Sequence, residues 1–351
     1  MKVVNFTGLR YDSMVCSWPS MYLNLFKSFH TLGYTIRISP NIKTLDKDNN
    51  YVEVFKNRKL GDIILPDYVK VGIIDDPNHI YIFNHTHTHQ VEEENWPSGK
   101  INLFIKPSGP GSKHFTIDPI GYSSHTSISY DKPNFENVKY EKFYKNEISN
   151  WIKNKINKWD DDSSVNEFIK PIVNIPNNHI LFIGQMPGDE TCTVFSFGDH
   201  WLKLRTLINA LITDEPVVIK LHPYLSEPVS QLWAEHYHLN DQIKEWEDKG
   251  YTVLSGFESM HEILPKTKVA ILENSTAGLE CLMHNTPIIS YGYPEYHWVT
   301  KDLRHALNIN KYIRDLSWYD EHKAKSWLAW WHKNYICFDY TTTLNRIKKL
   351  L

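Results

Sequence analysis

Several things are missing from this sequence, and each absence removes a class of protein. It contains no G-x-G-x-x-G run, so the dinucleotide fingerprint is absent. It contains no C-x-x-C pair; its four cysteines, Cys16, Cys192, Cys281 and Cys337, are far apart. That spacing argues against a zinc ribbon or a disulfide framework and for free, buried thiols. No apolar run approaches the ~18 residues of a membrane span. Met1 to Arg10 lacks the basic-then-apolar order of a secretory signal and reads as a short strand, so a cytoplasmic protein without a transmembrane segment is expected. Nor is there an excess of basic charge: 38 Lys and Arg against 41 Asp and Glu leave a net charge of −3. A global electrostatic footprint for nucleic acid is therefore missing, although a local patch would suffice for binding.

What remains is a soluble globular composition, 41% hydrophobic and 23% charged. At 351 residues the chain is longer than one ordinary domain, and two are expected. Lys2 to Phe6 reads as a strand, Ser20 to Leu32 as a helix stopped by Gly33, and Tyr34 to Ile38 as the next strand. Strand, helix, strand in that order argues for a parallel α/β unit. The same alternation resumes after Ile180, through strands at Val217 to Lys220, Tyr251 to Leu254, Val269 to Leu272 and Pro287 to Tyr291. Helical patterns cover His200 to Ile212, Glu227 to Lys249, Met260 to Leu264 and Thr276 to Met283. The acidic and serine run Asp160 to Ser164 looks like a boundary, which divides the chain into 1–163, 164–320 and a Trp-dense helical tail, 321–351.

Polar residues cluster where these strands end. The stretch I-L-F-I-G-Q-M-P-G-D-E-T is followed by V-V-I-K-L-H-P, V-A-I-L-E-N-S-T-A-G-L-E-C-L and P-I-I-S-Y-G. In an open parallel sheet such loops gather at the carboxyl edge, where ligands bind. Asp189, Lys220, His222, Ser275, Thr276 and Glu280 would then share one crevice. A carboxylate, cationic and proton-handling groups, and hydroxyls at a helix start suit a phosphorylated ligand undergoing group transfer.

The first half offers weaker signals. His85, His87 and His89 alternate after an apolar strand and form a metal site, a substrate rim or merely a solvated edge. In the Pro/Gly/Ser-rich loop Lys106 to Tyr122, Asp118 is a candidate carboxylate with Lys113 and His114 as partners. It reads equally as a turn Asp bonded to its own backbone. Lys139 to Lys158 interleaves lysines with Tyr140, Phe143, Tyr144 and Trp151, either as a polyanion-facing helix or as an amphipathic helix with solvated lysines.

Four motifs in order, G-Q-M-P-G-D-E, K-L-H-P, N-S-T-A-G-L-E and Y-G-Y-P-E-Y-H-W, resemble those of the capsular-polysaccharide, β-Kdo transferase-like glycosyltransferases. The His-Pro and Ser-Ser/Thr pairs are also similar to motifs of bacterial sialyltransferases. The resemblance implies a GT-B-like fold: two doubly wound α/β domains facing a central crevice, with C-terminal helices packing back across. The first domain would bind the acceptor and the second the nucleotide-sugar.

It further implies a metal-independent, retaining transfer from a CMP- or UDP-linked sugar, a co-substrate rather than a bound cofactor, to a saccharide or glycolipid. Asp189 would be the nucleophile. Lys220, His222, Ser275 and Thr276 would hold the donor phosphate, Gln185 would orient it, and Glu280 would bind ribose. Asp118 is a further catalytic candidate, and Lys113, His114 and His87 are acceptor-side candidates.

A short, free-standing Lys/Tyr/Trp-rich chain also looks like a phage DNA-modifying arabinosyl or glucosyl transferase, acting in host cytoplasm on hydroxymethylated bases flipped from duplex DNA. A non-catalytic saccharide- or nucleotide-binding module is the third reading. Asp189, as an N-cap or turn residue, would suit it.

Overall fold

Strands covered on both faces read as near-continuous apolar runs, and the central strands here do, with polar residues only at Asn5, Thr7, Asn84 and His179. Val3–Thr7, Ile80–Asn84 and His179–Ile183 are buried at every position. The computed structural model describes residues 2–7, 17–39, 43–45, 51–53, 55–56, 58–60, 63–84, 86–157, 174–187, 189–193, 198–226, 238–304 and 308–351. The Asp160 to Ser164 boundary, His85, and the first half of the Glu227 to Lys249 pattern lie outside these residues.

The chain forms two compact units. The first is drawn chiefly from Met1–Ser127 and Trp331–Leu351, the second from Ile128–Ile156 and Val165–Trp330. Ile128–Ile156 therefore groups with the second unit, although the composition break at Asp160 put it in the first. Its packing explains why. Tyr144 donates to Leu282 O at 3.0 Å, and Trp298 Nε1 donates to Ile128 O at 2.8 Å.

The sheet of the first unit runs, edge to edge, Ile336–Cys337, Phe115–Asp118, Ile101–Pro107, Ile80–Asn84, Val3–Thr7, Thr35–Ile38, Val69–Val71. The five strands from Ile101–Pro107 onward are parallel; Phe115–Asp118 is antiparallel to both its neighbours. Helix Ser17–Thr31 ends as the sequence indicates. Gly33 takes φ +79°, and Tyr34 N reaches back to Phe29 O at 3.0 Å. The tail is not wholly helical: a short strand, Ile336–Cys337, separates helices Glu321–Asn334 and Tyr340–Leu350. Small hairpins at residues 43–64 also carry no clear sequence signal.

The sheet of the second unit is parallel throughout, in the order Thr252–Leu254, Val217–Lys220, His179–Ile183, Thr267–Leu272, Ile288–Ser290, Lys301–Asp302. Numbered along the chain, that order is third, second, first, fourth, fifth, sixth, the doubly wound nucleotide-binding arrangement. The parallel part of the first unit's sheet follows the same rule. Each unit has its own core, around Phe6, Phe26 and Ile82 in the first and Phe182, Trp246 and Ile271 in the second. Among the described residues no helix is long and apolar enough to cross a membrane.

Candidate active site

With this strand order, connections leave the first and fourth strands in opposite directions and open a crevice at their carboxyl ends. In the second unit those strands are His179–Ile183 and Thr267–Leu272. Gln185 and Asp189 follow one; Asn274, Ser275 and Thr276 follow the other. Lys220 ends the adjacent strand, and His222 follows it. His222 and Ser275 thus leave the same sheet edge two strands apart, roughly 10 Å.

Lys220 is 7% exposed, and its ammonium donates to Gly256 O. Burial pushes its pKa below the usual lysine range, while Glu258 and Glu280 pull it back up. That opposition places Glu280, on helix Ala277–Met283, within electrostatic reach of Lys220. The His222–Pro223 turn closes through a bond from Leu225 N to His222 O at 3.0 Å. Gly256, at φ +105°, lies against it; a Cβ there would come within 2.6 Å of Leu221 O and Pro223 N.

At the helix start, Ser275 Oγ accepts from Ala277 N at 3.3 Å, which leaves its hydroxyl proton to be donated elsewhere. Thr276 occupies the N-cap without a side-chain cap bond. Gly278 N and Leu279 N bond to Ser275 O and Thr276 O, each at 3.0 Å. Those first-turn amides are engaged within the chain, and the Ser275 and Thr276 hydroxyls beside them are half-buried.

The glycine-bearing motifs interlock. A Cβ on Gly278 would lie 2.0 Å from the hydroxyl of Tyr296, which itself donates to Ser275 O. A Cβ on Gly292 would lie 2.5 Å from Glu273 Cγ. N-S-T-A-G and Y-G-Y-P-E-Y are therefore two halves of one close contact.

Gln185 and Asp189 are both hydrogen-bonded into the loops that carry them. Gln185 is buried, and its Oε1 accepts from Asn274 N at 3.0 Å, tying the two loops of the crevice together. Asp189 receives Thr191 N and Thr191 Oγ1 on one oxygen, Oδ1, at 2.8 and 2.6 Å. It stands before helix Glu190–Thr193 as an N-cap would. Asn274 Nδ2 reaches Thr191 O at 2.7 Å, so the loop carrying Asp189 is braced by the same asparagine.

Behind these loops lies a relay that the sequence did not reveal. The Gln185 amide donates to His200 Nε2 at 3.0 Å, so the proton of the neutral ring sits on Nδ1, which donates to Glu273. Lys203 takes the other oxygen of Glu273. Cys192, His200 and Glu273 are the only group among the described residues whose ligand atoms could surround an ion, all within 4.8 Å of one another. Lys203, the Gln185 amide and Asn274 Oδ1, 3.5 Å from Cys192 Sγ, already engage those atoms. The signal for this relay was Glu273 itself, a carboxylate ending the apolar run V-A-I-L and completely buried.

Of the first-unit candidates, Asp118, His114 and His87 hold backbone amides of their own unit. Asp118 is completely buried and accepts from Ile120 N at 2.8 Å, Ser127 Oγ at 2.6 Å and Tyr335 Oη at 3.0 Å. Arg346 approaches it to 3.9 Å. It pins a loop and the C-terminal segment, so its expected catalytic role is replaced by a structural one. His114 is buried with Nδ1 accepting from Gly111 N at 2.7 Å, and burial, helped by His332, pushes its pKa down to about 3. Lys113 is exposed.

His87 caps helix Thr88–Glu93, Nδ1 accepting from Gln90 N at 3.3 Å. Its ring packs with those of His89 and His125 at 6.2 and 5.6 Å. In the Lys139 to Lys158 stretch, Ile148 and Trp151 are buried while Lys142, Lys145 and Lys153 are exposed, the pattern of an amphipathic helix.

A parallel sheet in this strand order, with a braced, cation- and hydroxyl-lined switch point, is the doubly wound α/β class of ligand-binding architectures. The family model for capsule polysaccharide biosynthesis proteins matches residues 125–317, and the chain belongs to that family. No curated protein matches the sequence. Among solved structures it is similar to the β-Kdo 2,7 transferase KpsC of Thermosulfurimonas dismutans, at 12% identity over 100% of this chain and 99% of that one, with TM-score 0.47. The β-Kdo 2,4 transferase of the same protein gives 12% identity, 93% and 89% coverage and TM-score 0.48. The UDP-GlcNAc 2-epimerase of Methanocaldococcus jannaschii gives 12%, 100%, 99% and 0.32. Likeness at this level assigns no residue a role.

Proposed function

We propose that the protein transfers a sugar from a nucleotide-sugar to a saccharide or glycolipid acceptor, in the cytoplasm, without a metal ion and with retention of configuration. The observation that supports this most is the strand order, which delivers Lys220, His222, Ser275, Thr276 and Asp189 to one edge of one parallel sheet. Lys220 and His222 neutralise the departing phosphate, and the Ser275 and Thr276 hydroxyls donate to its oxygens. Glu280, within electrostatic reach of Lys220, contacts ribose.

Asp189 attacks the anomeric carbon as the bond to the nucleotide phosphate breaks, giving a glycosyl–carboxylate ester. An acceptor hydroxyl then displaces the aspartate as a carboxylate, losing its proton to solvent, and two inversions amount to retention. Thr191 fixes the attacking carboxylate by one oxygen. Gln185 acts by holding the loops rather than by touching the donor.

The test is thermal stabilisation by CMP-, UDP- and GDP-sugars, since a ligand that binds only the folded state raises Tm. One of the three should raise Tm in the wild type and fail to do so in His222→Ala. No shift with any of them, or an equal shift in the variant, would refute the donor site. Salt-sensitive binding to duplex DNA would instead favour a DNA acceptor.

A further inference from the structure

The turn after strand Thr252–Leu254 belongs to none of the four motifs, yet its hydrogen bonds converge on one side chain. Glu258 is 9% exposed. Its Oε1 accepts from Ser255 N at 3.2 Å and Ser255 Oγ at 2.8 Å, and its Oε2 accepts from Gly256 N at 2.8 Å. The carbonyl of that same Gly256 receives the Lys220 ammonium. Its α-carbon packs so closely on the histidine–proline turn that a Cβ would lie 2.7 Å from the His222 carbonyl carbon. The carboxylate therefore shapes, from inside, a turn that touches both cationic residues of the crevice.

Charge points the same way. A buried ammonium tends to shed its proton unless negative charge faces it. The charged groups acting on Lys220 are Glu258, from this turn, and Glu280, from helix Ala277–Met283; burial opposes both. Glu258 stays ionised: burial raises its pKa, but bonds from its own amide, Ser255 and Gly256, with Lys220 nearby, bring it below the usual range.

We propose that Glu258 is a positioning residue for the anion site: it holds the Ser255–Gly256 turn against His222–Pro223 and keeps the Lys220 ammonium protonated. This rests on the reading of Lys220 as a contact of the donor phosphate. Removing the charge of Glu258 should therefore weaken binding only where Lys220 begins to titrate, whereas a purely structural loss weakens it at every pH.

The experiment measures Kd for CMP and for UDP by calorimetry, in wild type, Glu258→Gln and Glu258→Gln/Lys220→Arg, from about pH 6 to about pH 10. Binding to the wild type should weaken at the alkaline end. In Glu258→Gln that limb should move down by about one pH unit, so Kd rises roughly ten-fold near pH 9 and less than about two-fold near pH 6. The arginine, charged throughout, should abolish the limb. Equal weakening at every pH, or a limb that does not move, overturns the proposal.

Should Glu258→Gln not fold, Glu258→Asp is expected to move the limb by less and in the same direction, and an unmoved limb there is equally fatal. If the wild type binds neither nucleotide, the donor-site reading fails instead. The lysine titration, followed by NMR with 13C-labelled lysine in the ligand-free protein, then still decides whether Glu258 governs the charge of Lys220.

Discussion

The two units share a strand order but use their polar residues in different ways. In the first, Asp118, His114 and His87 each hold backbone amides of their own unit. In the second, Lys220 is buried with an ammonium that meets one carbonyl, and the hydroxyls of Ser275 and Thr276 stand at a helix start that already satisfies its own amides. A fully buried polar group surrounded by internal partners is part of the scaffold, whereas donors left over beside a switch point are what an anion there would meet. Sequence does not make that distinction, because Asp118 and Asp189 look alike on paper.

The sharpest way to break the contrast is to remove one aspartate from each unit. Asp189→Ala should lower turnover roughly a thousand-fold or more while leaving nucleotide Kd within about three-fold. A variant that keeps its turnover would support a binding module instead. Asp118→Ala should do the reverse, costing about 3–5 kcal/mol in urea unfolding because it strands Arg346 and several amides, with nucleotide affinity of the folded fraction unchanged. Loss of turnover without loss of stability would return Asp118 to the catalytic set.

Next in size, Gly278→Ala should cost about 2 kcal/mol or more, since its Cβ meets Tyr296, and should also weaken nucleotide binding by displacing Ser275. Normal stability and affinity would show that the two motifs are not interlocked.

A pH-dependent effect lies in the first unit's histidines. His114 is pushed from the usual 6.5 to about 3, so between those values the unfolded chain holds a proton that the folded chain does not. Its contribution to stability is present above pH 6.5 and is lost as pH falls towards about 3. Tm should accordingly drop on acidification, and His114→Asn, whose amide oxygen can still accept from Gly111 N, should flatten the drop. An acid limb of unchanged slope would show that this histidine is not involved.

Much of the second unit was legible beforehand. Apolar runs such as V-V-I-K mark its strands, and once a parallel sheet is granted, the residues after them must share an edge. The supporting residues were not legible, because each acts through a partner far along the chain. Glu273 meets His200 and Lys203 about seventy positions away, and Gln185 meets Asn274 across 89. Local pattern carries no trace of such pairings. It also misassigned Ile128–Ile156, whose affiliation is decided by Tyr144 and the Trp298 indole rather than by the acidic run that follows it.

The imidazole of His200 has one further consequence. Because its Nε2 must receive a main-chain amide, the ring is locked in a single tautomer, and its two nitrogens should give well-separated 15N resonances. Any movement of the Gln185 loop when a nucleotide arrives would alter that signal. The protein thus contains its own spectroscopic reporter, next to the crevice and in need of no label on the ligand.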